Sequence, residues 1–380
     1  MEGFIIALFV CLVLALISKY LSIPAIPFYI LAGVVLGKAG LGIVQSNEIS
    51  HFFSEMGLLF LLFFMGLELK MERIVANPSK VLTAGFIGII VDMGIGFTAA
   101  YLLGFTLMEA FIVGAAFYIT STAIVITSLI ENRKLMSKEA ETIIWVVIFE
   151  DIVLIGILAL LSISDQNLLV FFAKIGLALS LMYLISFYGK EFLVSILDRD
   201  DEIPILFTFA AVLTTASLAL FFGIPATLMV IALGAALATT DPDAFEQHAR
   251  PFKDVFLVIF FVFFGVTIDL SAGADWVIIA VICVLAIISK LISGILMGIM
   301  IHDSALSGLE IWANMICRGE FSIALAVLYG SPVIATTVAA LVIVTSIFGS
   351  FTAKYSTWMR RGIVSHRRRK ALMHRPHAGR

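Results

Sequence analysis

The chain has 380 residues, of which 61% are hydrophobic and 13% charged, with a net charge of −3 and a mean hydropathy of +1.12. A soluble domain is near half apolar and a quarter charged, so a water-soluble globule is excluded and most of the chain must face lipid or the interior of a membrane bundle. Three cysteines, Cys11, Cys283 and Cys317, lie in apolar runs without CxxC spacing, which argues against a disulfide framework or a zinc site.

A membrane helix needs roughly 20 apolar residues, and thirteen segments follow in order at about 3–20, 25–43, 53–69, 80–103, 107–130, 139–163, 168–188, 203–222, 225–239, 254–268, 275–300, 307–329 and 332–355. The first lacks a basic start and a small-residue cleavage site, so it reads as a retained helix rather than a signal peptide. With the N-terminus outside, the inner loops gather Lys19; Lys70, Arg73 and Lys80; Arg133, Lys134 and Lys138; Lys190 and Arg199; Arg250 and Lys253. The tail adds Lys354, Arg360, Arg361, Arg367, Arg368, Arg369, Lys370, Arg375 and Arg380, whereas the outer loops hold Lys38 alone. Cytoplasmic loops are enriched in Lys and Arg, so this asymmetry predicts an odd number of spans and a cytoplasmic C-terminus. Asp241, Asp243 and Glu246 read as solvated loop residues. The basic tail, 356–380, reads as a positive-inside stop and a contact for anionic lipid, not for nucleic acid.

The second segment, LSIPAIPFYILAGVVLG (21–37), is echoed by FGIPATLMVIALGAALA (222–238), and LLFFMGLEL (61–69) by FVFFGVTIDL (261–270). Both echoes lie about 200 residues apart, so two six-helix halves, about 1–164 and 203–355, joined by a linker helix at 168–188, would give the odd total. An odd linker turns the second half upside down, as in the inverted repeats of secondary transporters. The fifth and twelfth segments should then carry discontinuous crossover helices. The fifth contains YITSTAIVITSL with Thr120, Ser121 and Thr122; the twelfth contains NMICRGEFSIA with Arg318 and Glu320. Non-helical backbone at that depth is tolerated only where it is buried or lines a cavity. There its carbonyls and hydroxyls can coordinate a hard cation, and the opposed helix ends call for compensating charge.

Asp92, Glu150, Asp151, Lys290, Arg318 and Glu320 all fall inside spans. At roughly 2.5–3.5 kcal/mol each, these charges left unpaired would cost about 15–20 kcal/mol, more than a typical domain's stability. Glu150 and Asp151 are adjacent and point about 100° apart on a helix, so one can pair with a fixed cation while the other opens onto a cavity. A carboxylate sealed from water is more easily protonated, and a cation can take the proton's place; one group holding either is the minimal chemistry of exchange. The bland alternative is that both acids only lock helices together. Lys290 is either a snorkelling lysine or, since apolar residues extend far on both sides, the partner of a carboxylate of the Glu150–Asp151 pair. Arg318 and Glu320 pair with each other or with helix ends, or touch the ion. Asp92 is a helix-locking hydrogen-bond partner or a modulator behind the site. Lys174 snorkels to one end of the linker span.

Taken in order, these motifs resemble the monovalent cation:proton antiporter-2 family, which includes Kef-type exchangers and bacterial sodium/proton antiporters. The segments that carry the resemblance are IPAIPFYILAGVVLGKAGLG, GLLFLLFFMGLEL, TSTAIVITSLIE, FEDIVLIGILALL, DVFLVIFFVFFGVTIDL and CRGEFSIALA, spread over about 21–355. The resemblance implies an all-α polytopic membrane protein of the sodium/proton antiporter fold. It implies a mobile core (helices about 80–164 and 275–355), a dimerisation domain from the remaining helices, a homodimer, and elevator-like alternating access. It makes Asp151 the sodium- and proton-exchanging group, with Thr120 and Ser121 beside the ion and Asp92 and Thr122 around them. Lys290 matches the lysine of electrogenic relatives and is expected to pair with Glu150. The pair itself motivates a further expectation: if sodium binding releases it and Lys290 then loses a proton, exchange is electrogenic, with two protons per sodium. Arg318, Gly319 and Glu320 match the second crossover.

Two departures stand out. Position 150 is Glu rather than Asp, Asn or Gln. The chain also stops at Arg380, where Kef-type members continue into a nucleotide-binding regulatory domain, so that regulation is expected to be absent or supplied elsewhere. The reading is a secondary active sodium/proton antiporter of the cell membrane, not an enzyme and without a cofactor. Potassium or lithium are alternative cargoes. The rivals are a potassium/proton exchanger, a gated cation channel, against which the absence of a TVGYG-like filter counts, and a non-transporting membrane sensor.

Overall fold

The computed structural model describes residues 2–21, 23–45, 48–68, 78–163, 168–199, 201–240, 242–268 and 275–373. Lys70, Arg73, Asp241, Asp269, Arg375 and Arg380, together with the side chains of Arg361, Arg367, Arg368, Arg369 and Lys370, lie outside that set. The regular secondary structure among the described residues is helical, and helix covers part of every one of the expected segments. Eight helices are long and apolar enough to cross a membrane among the described residues, and ten if two bent pairs each count as one span. Apolar side chains such as Phe9, Leu12 and Leu16 of the first helix are exposed, a surface suited to hydrocarbon. The chain is a multi-pass membrane protein.

The chain divides into two compact units. The first comprises Met1–Val75, Glu150–Ala274 and Ile323–Ala339; the second comprises Ala76–Phe149, Asp275–Ser322 and Ala340–Arg380. Residues 150–164 and 323–339, expected in the core, are grouped with the first unit.

The first unit contains α1 (Glu2–Leu21), α2 (Ile26–Leu36) and α3 (Glu48–Leu67). Among its other helices, which are numbered below in chain order, are α9 (Leu168–Tyr188), α10 (Lys190–Leu197), α11 (Ile203–Phe221), α12 (Ala226–Leu237) and α13 (Pro242–Thr267). Lipid offers little hydrophobic drive for helix association, so close packing of small residues must supply it. A Cβ on Gly33 of α2 would lie 2.8 Å from the Cα of Gly265 on α13, and one on Gly66 of α3 would lie 2.9 Å from the Cα of Gly234 on α12. Gly33 and Gly234 occupy matching places in the two echoed motifs, and so, within one residue, do Gly66 and Gly265. The two contacts therefore exchange with each other across the sequence echo. Two features differ from expectation. The chain bends by 68° between Tyr188 and Lys190, and Asp243 and Glu246, expected in a loop, fall in the opening turns of α13, where Arg250 meets Glu246 at 2.6 Å.

The second unit contains α4 (Pro78–Gly88), a π-helical turn (Ile89–Met93), α5 (Gly94–Leu102), α6 (Leu107–Tyr118) and α7 (Thr122–Glu131). It also contains α14 (Trp276–His302) and α15 (Ala305–Met315). Three helices run through the division: α8 (Lys138–Leu161), α16 (Glu320–Tyr329) and α17 (Pro332–Met373). The helix starts are written in sequence. Thr106 and Glu109 form a reciprocal capping box on α6, and Asp275 accepts from Val277 and Ile278 at the start of α14. Asp303 takes a left-handed conformation (φ 51°) between α14 and α15, and Ser304 caps α15. A Cβ on Gly294 would lie 3.0 Å from the carbonyl of Gly308, so these two helices form a tight hairpin.

Candidate functional site

Two interruptions define the centre of the second unit. Helix α6 ends at Tyr118, Ile119 is extended (ψ 124°), Thr120 follows fully buried, and Ser121 starts α7 as an extended N-cap. Helix α15 ends at Met315 and α16 begins at Glu320 after a bend of 58°. The fifth segment keeps one apolar stretch of 25 residues across its break. The two breaks touch: the amide of Ser121 donates to the carbonyl of Cys317 at 3.0 Å, and its hydroxyl donates to the Glu320 carboxylate at 2.9 Å. Gly319 permits this approach, because a Cβ there would come within 2.5 Å of the Ser121 side chain.

Unwound backbone away from water must find partners. The Arg318 amide donates to the Thr345 hydroxyl at 3.2 Å, and the Ser346 hydroxyl donates to the Arg318 carbonyl at 2.7 Å. Both come from α17. The Arg318 side chain is fully buried and donates to carbonyls: Ala116 at 3.3 Å, Phe117 at 2.5 Å, Met315 at 3.5 Å, Ile316 at 2.5 Å and Ala286 at 3.4 Å. All but Ala286 belong to the ends of α6 and α15, where unpaired carbonyls and the helix dipole concentrate negative charge. Of the alternatives open at the sequence level, Arg318 therefore takes the helix ends. Glu320, as the first residue of α16, stands at the opposite, positive pole.

The lysine serves the same helix end. Lys290 of α14 is buried, donates to the carbonyl of Tyr118 at 2.8 Å and lies 3.2 Å from the Asp92 carboxylate. Asp92 sits in the π-helical turn, fully buried, and accepts from Ser293 at 3.1 Å. The sequence reading matched Lys290 to Glu150 and gave Asp92 a locking or modulating place; a carboxylate beside the ammonium is Asp92, and it locks α14 through Ser293 as well. Single-turn π bulges inside α-helices are frequent at functional sites. Thr122, the first residue of α7, is half-buried.

Glu150 and Asp151 occupy the middle of α8, where Glu150 is 0% and Asp151 7% exposed. The division between the units falls just before Glu150. The structure thus assembles Ser121, Arg318 and Glu320 at the crossing of the breaks and joins Lys290 to Asp92 at the end of α6. The two acids of α8 are grouped with the other unit. Sequence reasoning missed Thr345 and Ser346, although two adjacent hydroxyls in the apolar run LVIVTSIFG were a visible signal. It also missed that partners recur at one spacing. Ser121 with Glu320, Asp92 with Ser293, and Phe117 with Arg318 are separated by 199, 201 and 201 residues.

This arrangement can hold positive and negative charge at fixed places deep in a membrane protein, beside hydroxyls and carbonyls fit for a hard cation. Residues 5–357 match the family model described as sodium/hydrogen exchanger, transmembrane. The chain is 30% identical to the K(+)/H(+) antiporter subunit KhtU of Bacillus subtilis (strain 168), covering 84% of this chain and 83% of that protein. It is 27% identical to the Na(+)/H(+) antiporter of Enterococcus hirae, with 81% and 83% covered. Among solved structures, the sodium proton antiporter MjNhaP1 from Methanocaldococcus jannaschii at pH 8 shares the fold with a TM-score of 0.67 at 20% identity, over 94% of this chain and 98% of that one. The chain belongs to the sodium/hydrogen exchanger family of transmembrane cation/proton antiporters.

Proposed function

We propose that the chain exchanges sodium for protons by alternating access, with Asp151 as the group that holds either one. The observation that carries this reading is the crossing of two interrupted helices whose ends are met by Arg318, Lys290 and Glu320, in a chain of the exchanger family with an acid pair buried midway along α8. Sodium is cargo and no cofactor is needed. Thr120 and Ser121 supply oxygen to the ion, Thr122 lies just behind them, and Glu150 pairs with Lys290 when sodium is absent and releases it when sodium binds. Lys290 balances charge in concert with Asp92 and makes exchange electrogenic if it gives up a proton per cycle. The matched glycine contacts and the recurring partner spacing support two inverted repeats about a linker helix. The loop charges support thirteen spans in a cell membrane with an outer N-terminus and a cytoplasmic C-terminus. The motif order supports the Kef-type branch, a mobile core and a homodimer.

The identity to a K(+)/H(+) antiporter subunit favours a second reading, the same mechanism with potassium as cargo. Proteoliposomes holding a pH-sensitive dye separate the two. Pulses of sodium, lithium and potassium are applied in turn, and sodium is expected to drive the largest proton flux. A larger response to potassium replaces the first reading with the second, and no response to any cation refutes both. Sodium-driven flux that ignores an imposed membrane potential would refute electrogenic exchange.

A further inference from the structure

The first unit contains a cavity of about 330 Å³ that the exchange chemistry leaves unused. Four helices wall it, with Ala178 and Ile185 from α9, Leu193 from α10, Phe207 and Ala211 from α11 and Met229 from α12. Ser186 also lines it, but its hydroxyl is committed to the carbonyl of Ala236 at 2.7 Å. A buried water needs two to four polar partners, and apolar cavities stay dry or take an apolar guest. The rim residues Leu181, Ile185, Leu218 and Phe222 are exposed, so a guest can enter sideways from the bilayer.

The shape and chemistry of the space suit a chain-like guest. Its lining runs from Phe207 to Phe222 along α11, about 22 Å of helix, and from Ala178 to Ser186 along α9, about 12 Å, within the depth of one leaflet and a little beyond it in a roughly 30 Å hydrocarbon core. It is an apolar slot open on one side to hydrocarbon, where an acyl chain can lie along the helices.

The end of the slot carries a charge. Lys174 of α9 donates to the carbonyl of Phe222, at the C-terminal end of α11, at 3.1 Å. An ammonium has three donors, and this contact engages one of them. Among the described residues no carboxylate pairs with Lys174. We propose that the slot seats one acyl chain of an anionic phospholipid and that Lys174 meets its phosphate.

Native mass spectrometry of the full chain, released from detergent with equal amounts of palmitoyl-oleoyl phosphatidylglycerol and phosphatidylcholine, tests this. One lysine near a lipid surface contributes about 1 kcal/mol, so Lys174 should raise retention of phosphatidylglycerol over phosphatidylcholine about fivefold, on top of any preference set by the basic tail. Lys174→Gln should lower the preference of the natural chain by that factor without altering the slot. Ala211→Phe, which fills the void, should lower retention of both lipids; Ala178→Phe on the facing wall replaces it if the first variant is not monodisperse. Equal retention of the two lipids by the natural chain overturns the proposal. So does a preference that Lys174→Gln leaves unchanged, or retention of both lipids that filling the slot leaves unchanged. A filled slot that changes only the ratio of monomer to dimer assigns the face to a second copy instead.

Discussion

In the first unit, α2 meets α13 and α3 meets α12 backbone to backbone at paired glycines, and the rings of Phe60, Phe209 and Phe252 pack with centroids 5.0–5.9 Å apart. In the second unit, a buried arginine holds carbonyls at the ends of two helices and a buried lysine holds a carbonyl and a carboxylate. Continuous helices satisfy their own backbone and need only shape to associate in lipid. Interrupted helices leave carbonyls and dipole ends without partners, and only fixed charge or water can meet them. Charge therefore collects where the backbone is broken, and that is also where an ion can be handled. The same logic explains why Lys290 and Arg318 converge on the end of α6.

Removing a charge from the second unit should have the largest effect. Arg318→Met strands the carbonyls of Ala116, Phe117 and Ile316 and should cost about 3–5 kcal/mol, read as a lower melting temperature and less folded protein in detergent. Arg318→Lys keeps the charge with fewer donors and should recover part of the loss; an unchanged melting temperature for Arg318→Met would break the contrast between the units. Next come the ion-pair variants. Lys290→Met and Asp92→Asn should each destabilise by about 3 kcal/mol, and the double variant by clearly less than their sum. Additive losses would mean that the two groups act separately. The smallest effects belong to the first unit: Gly33→Ala and Gly234→Ala each push a methyl into facing backbone at an expected cost of about 1–3 kcal/mol. Closely matched melting shifts would sharpen the equivalence of the two glycine contacts, and a shift in only one of them would remove it.

Much of this was legible in the sequence because hydrocarbon leaves few options. The apolar runs announced their helices, and hydroxyls and charges at mid-span announced the breaks at Thr120 and Arg318. The partners were harder to read. Lys290 could be matched to any buried acid in the chain, and local spacing points to none of them. Asp92 meets both Lys290 and Ser293, one helical turn along, across about 200 residues of chain, a distance over which no local pattern speaks. Thr345 and Ser346 were hidden for another reason: their partner is backbone, which every residue has and no sequence pattern marks. The bend after Tyr188 had only Gly189 to signal it. The early start of α13 overrode Pro251, whose ring falls within the helix rather than ending it.

The central claim is that one carboxylate, Asp151, holds the proton and the cation in turn. The most direct test is sodium-driven proton flux in proteoliposomes reconstituted with Asp151→Asn, beside the natural chain and Asp92→Asn as a control for buried charge. The account predicts that flux disappears in Asp151→Asn while the protein remains folded, and that it persists at a reduced level in Asp92→Asn. Sodium-driven flux retained by folded Asp151→Asn would contradict it.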